Sequence, residues 1–143
     1  MVVSEFSSSR RLRRLMSTCV ALICVFLTSV AFAYESERAQ ALLARESAEC
    51  AGYFTTVSRA PDLDATTRNR LRADAKSLIE LSAKLTSEKL ASSRAYLTSR
   101  TMLREIGDDW ARVSILNGTY QHACGDLVSD PKARMQYWLD KRD

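Results

Sequence analysis

The groups in this chain that could do chemistry are few: the thiols Cys50 and Cys124, the single imidazole His122, and the carboxylates gathered in "EIGDDW". A nucleophilic thiol needs a neighbouring base, and a metal-bound thiol needs further ligands at short spacing. The sequence offers neither CxxC nor CxxCH. In "YQHACGD", His122 and Cys124 stand two residues apart, which on a helix is about 200° of rotation, so the two side chains point to opposite sides. Asp126 is four residues beyond His122 and can pair with it, as a surface contact worth a few tenths of a kcal/mol. No third group completes a triad, so no catalytic residue is expected.

The carboxylates read the same way. Glu105, Asp108 and Asp109 lack the ordered alternation of oxygen ligands in a calcium loop, and capping of helix ends is their expected role. Glu46 and Glu49 are one turn apart, but Arg45 stands four residues before Glu49, which fits a solvated ion-pair face. "NGT" at Asn117 is a glycosylation pattern only on a eukaryotic secretory route, and Gly118 beside it either loosens a helix or permits close packing. No metal and no cofactor are expected.

These residues must be placed in a compartment before their chemistry can be judged. Residues 1–33 have the layout of a secretory signal peptide: Arg10, Arg11, Arg13 and Arg14, then an apolar run, then "AFA" before Tyr34. From Cys19 to Ala33 the run has fifteen residues, short of the roughly 20 that a spanning helix needs. Ala31 and Ala33 supply the small side chains a signal peptidase accepts, so cleavage between Ala33 and Tyr34 is expected. An uncleaved anchor and a lipoprotein are the weaker alternatives, since "YESER" is charged and Ile23 and Thr18 precede Cys24 and Cys19. Of 21 basic and 17 acidic residues, 17 and 16 lie beyond Ala33. The chain's positive charge thus belongs mostly to the leader, and a nucleic-acid partner is not expected. Membrane contact is expected only in transit, through the leader.

With the leader removed, Cys50 and Cys124 are the two thiols left in an oxidising compartment, where such a pair is usually joined. Leu43, Ser47, Cys50, Phe54 and Val57 recur at helical spacing, as do Ile106, Trp110, Val113, Asn117, Tyr120 and Cys124, which turns both sulfurs inward. Closing that loop is worth about 4 kcal/mol on the chain-entropy model.

Residues 34–143 read as a single all-α domain, a small disulfide-linked bundle of three to five helices running up and down. A first helix from about Glu35 to Arg59 stops at Pro61. A second carries Leu71, Ala75, Leu78, Ser82 and Leu85 on one face, with Arg68, Arg72, Lys76 and Glu80 on others. The last helix, about 130–141, has Asp130 as its cap, Pro131 at its first position, and Met135, Trp138 and Leu139 on its apolar face. Between them, turns fall either near Thr98–Thr101 or near Thr86–Ser87 and again at Gly107–Asp108. The second arrangement uses the better stop signals. Against it, Tyr96, Ser99, Leu103, Ile106, Trp110 and Val113 stay in helical phase through Gly107.

Tyr53, Phe54, Tyr96, Trp110, Tyr120, Tyr137 and Trp138 are many aromatics for one small core, and Tyr137 and Trp138, near the terminus, form the candidate partner surface. The segments "AECAGYF", "MLREIGDDWARVSILNGTYQHAC" and "DPKARMQYWLDK" resemble a group of small exported helical proteins of Gram-negative bacteria. That resemblance covers most of the chain after the leader. It implies a periplasmic address and a first-helix cysteine paired with a later one, and it transfers no catalytic residue. In size and cysteine count alone, the chain is also similar to small disulfide-bridged periplasmic chaperones. The expected function is a non-enzymatic binding, chaperone-like or envelope-associated module whose partner is a protein or the envelope surface. The alternatives are an enzyme or enzyme inhibitor built on Asp108, Asp109 and His122, and a membrane-anchored protein that keeps its leader.

Overall fold

Helix-stop signals divide the chain where capping chemistry is strongest. The computed structural model describes residues 34–141, and the leader with Ala33 lies outside the described residues. By its contacts the chain divides between Glu37 and Arg38, and Arg38–Asp143 is one compact unit. Five α-helices account for most of the described residues, with no strand among them: α1 at 34–57, α2 at Ala65–Leu85, α3 at Glu88–Ile106, α4 at Val113–Ser129 and α5 at Pro131–Asp140.

Side chains on short polar residues set most of these boundaries. The Asp64 carboxylate accepts from the Thr67 amide at 2.9 Å and starts α2, and Ser87 accepts from Leu90 to start α3. Gly107 takes the left-handed conformation (φ 64°) that a C-terminal cap requires, and the Asp108 amide closes on the Leu103 carbonyl. The chain therefore turns at Thr86–Ser87 and at Gly107, and runs helical through Thr98–Thr101. The apparent phase through Gly107 is broken by a 3₁₀ turn at Trp110–Arg112, capped by Asp109. Asp130 accepts from the Lys132 and Ala133 amides, and Pro131 opens α5 as expected. α1 ends at residue 57, two residues earlier than expected, because the Arg59 and Ala60 amides tighten onto Thr56 and Val57 ahead of Pro61.

α1 is the central helix, and its small residues explain how four neighbours reach it. Ala39, Ala44, Ser47, Ala48 and Ala51 are fully buried. The Ser82 hydroxyl of α2 donates to the Ala44 carbonyl at 2.8 Å. Thr56 donates to the Gly52 carbonyl at 2.8 Å and shares a hydroxyl–hydroxyl bond with Ser99 of α3 at 2.9 Å. Tyr53 donates to Asn117 of α4 at 3.0 Å, and Glu46 receives Arg134 of α5. Leu43, Leu71, Leu78, Met102, Ile106, Leu116 and Leu127 fill the core between them, each large apolar side chain contributing about 1.5–3 kcal/mol by leaving water. No buried side-chain nitrogen or oxygen among the described residues lacks a partner.

Candidate functional site

Cys50 and Cys124 are bonded to each other, with Cα atoms 5.3 Å apart and side chains 3% and 1% exposed. Their sulfurs are spent on a cross-link between α1 and α4. His122 Nδ1 lies 3.1 Å from Asp126 Oδ2, and both side chains are open to solvent. Asp109 is engaged in capping ahead of α4, while His122 is in α4's third turn, so about 14 Å of helix rise from Val113 alone separates them. Asp108, Asp109 and His122 are not brought together. No cluster of three or more metal-ligating side chains occurs among the described residues.

Two other sequence expectations change. Glu46 does not belong to a solvated face: its carboxylate accepts from Arg134 Nε at 2.9 Å and from Trp138 Nε1 at 2.8 Å, and its side chain is 15% exposed. Glu49 does pair with Arg45, at 2.8 Å in solvent. Trp138 is accordingly half-buried, held by Glu46, with the Arg134 guanidinium 5.5 Å from its ring. Tyr137 alone of the terminal pair is exposed, with Arg134 at 4.4 Å from its ring. Asn117 is half-buried, its amide oxygen taken by Tyr53, and Gly118 faces open space instead of a close neighbour.

The surface feature with binding geometry lies elsewhere, between the C-terminal end of α1 and the α2–α3 hairpin. There a groove of about 780 Å³ is floored by Ala75, Ile79 and Ala83 and edged by Thr55, Ser58 and Ser92. A second hollow of about 340 Å³ continues it past Ile79 and Ser92 to Ala95, Tyr96 and Leu103. Basic side chains dominate the rim: Arg59, Arg72, Lys76 and Lys84 on the larger hollow and Arg100 on the smaller, against Glu80 and Glu88. Lys76 is at 4.0 Å from Glu80, whereas Arg59, Arg72 and Lys84 have no carboxylate partner among the described residues.

The helix directions decide how those charges are distributed. α1 runs antiparallel to α2 with Ala44 level with Ser82, and parallel to α3 with Thr56 level with Ser99. Counting residues from those two contacts, Arg59, Arg72 and Arg100 fall within about one to two turns of the same height. The three arginines thus stand toward the same end of the apolar floor, Arg59 and Arg72 on the larger hollow and Arg59 and Arg100 on the smaller. Arg100 also receives support from Tyr96, whose hydroxyl lies 3.3 Å from its guanidinium and holds its pKa above the usual value.

Neither protein-family models, nor curated proteins, nor solved structures give a match to this chain. Sequence reasoning missed the groove because Arg72, Lys76 and Glu80 have the pattern of a solvated helix face. The signal that could have found it is the set of small residues Ala75, Ala83, Ser92 and Ala95, which leaves Ile79 only partly covered between two helices.

Proposed function

We propose that this chain is an exported, non-enzymatic helical module that binds an apolar partner in the groove between α1 and the α2–α3 hairpin. The observation that carries this reading is the groove itself: its volume lies within the roughly 300–1,000 Å³ of ligand sites, and its floor is apolar with polar groups at the edge. The Cys50–Cys124 bond supports an oxidising compartment. Among the described residues no helix is long and apolar enough to cross a membrane. Removal of residues 1–33 and a periplasmic address complete the proposal, supported by the layout of the leader.

The test is binding of a neutral fluorescent apolar probe, N-phenyl-1-naphthylamine, to the oxidised exported protein. Saturable enhancement at one site, abolished by Ile79→Glu in a variant whose circular dichroism is unchanged, is the expected result. Absence of saturable binding to the native protein would overturn the proposal. Intact mass of the exported protein with and without reductant tests the address: the expected chain begins at Tyr34 and gains two mass units on reduction.

A further inference from the structure

Resting on that reading of the groove, we infer that its ligand is a single-chain amphiphile with an anionic head, a long-chain carboxylate, seated head-first on Arg59, Arg72 and Arg100. Among the described residues two of these guanidiniums have no carboxylate partner, and Arg100 donates to the Tyr96 hydroxyl. A guanidinium presents a planar fork of donors that matches a carboxylate. An anion seated among three such groups offsets their like charge. The floor that leads away from them, Ala75, Ile79 and Ala83, offers dispersion contacts and no hydrogen-bonding side chain.

The dimensions set the length of that chain. From Arg72 to Lys84, α2 rises about 18 Å. An extended alkyl chain built of C–C bonds of about 1.5 Å advances about 1.3 Å per carbon, so this length holds a chain of about twelve to fourteen carbons. Exposed Lys84 lines the groove at its other end.

Displacement of N-phenyl-1-naphthylamine from the oxidised exported protein, with dodecanoate and with dodecanol below their aggregation limits, tests the assignment. Dodecanoate is expected to displace the probe at a concentration about tenfold lower than dodecanol. In an Arg59→Gln/Arg72→Gln variant this advantage is expected to fall by about tenfold while the dodecanol value stays within about twofold. Both positions are exposed and have no ion pair among the described residues, so the variant keeps its fold, which its melting curve checks. Equal displacement by the two ligands, or a dodecanoate advantage untouched by the double substitution, would overturn the inference while leaving the binding-module reading in place. Competition only by phosphatidylglycerol vesicles, or only by an acidic peptide, would overturn it too. If the native protein does not bind the probe at all, the groove reading itself fails.

Discussion

Gly52 sits where α1 and α3 approach too closely for a methyl group: a Cβ there would lie 2.7 Å from Thr98 Cβ and 2.8 Å from the Ala95 carbonyl oxygen. Gly52→Ala is expected to lower the unfolding free energy by about 2 kcal/mol, because the overpacking cost exceeds the helix-propensity gain. Gly118 faces open space in α4, so Gly118→Ala is expected to raise stability by about 0.5–1 kcal/mol. Denaturant titration of both variants checks the pair, and shifts of the same sign would remove the close-approach account. In sequence the two glycines look alike, since the atoms that distinguish them lie more than forty residues from Gly52. Glu46 makes the same point for charge. Glu46→Ala is expected to cost about 2 kcal/mol, since Arg134 and the Trp138 indole lose a charge-assisted acceptor together. The check is denaturation followed by tryptophan emission, with a red shift as Trp138 opens to water. Unchanged stability would mean that the pair only breaks even against solvation.

At the scale of the helix, caps were the legible features and phase was the misleading one. Asp64, Ser87, Gly107 and Asp130 each sit at a boundary because a short side chain or a left-handed backbone satisfies groups the helix leaves open. The series through Gly107 kept its three- and four-residue spacing and yet crosses a break, because periodicity reports which side faces the core and not whether the chain is continuous. The Asp64 cap also titrates. Hydrogen bonds from the Thr67 hydroxyl and then the Thr67 amide hold its carboxyl below 3.8. A carboxyl with a lowered folded pKa adds stability above its unfolded pKa and loses it as pH falls through the folded one. Asp64→Asn keeps a capping oxygen without the charge. Its melting temperature is therefore expected to fall less steeply than that of the unsubstituted protein between about pH 5 and 2. Parallel melting curves across that range would show that the Asp64 charge contributes nothing to the cap.

For the whole molecule, the cross-link between α1 and α4 is the main constraint on the unfolded chain. Replacing both Cys50 and Cys124 by Ala is expected to lower stability by up to about 4 kcal/mol on the loop-entropy model for a separation of 74 residues. Comparison of denaturation midpoints for the double variant and the oxidised protein checks it, and equal midpoints would mean that the packed helices already carry the fold. Sequence alone determined that the chain is helical, where its last helix starts, and that its two later thiols face inward, while it left the turns between Leu85 and Asp126 open between two arrangements. All of these follow from forces acting within a few turns: capping, backbone sterics and one-sided apolar spacing. Only the tertiary structure decided that Glu46 is a part-buried acceptor, that Gly52 is a contact point, and that Arg59, Arg72 and Arg100 stand toward one end of two adjoining hollows. Those facts depend on how far along its axis each helix is docked against α1, and that height is set by side chains meeting across long stretches of chain, which no local pattern records.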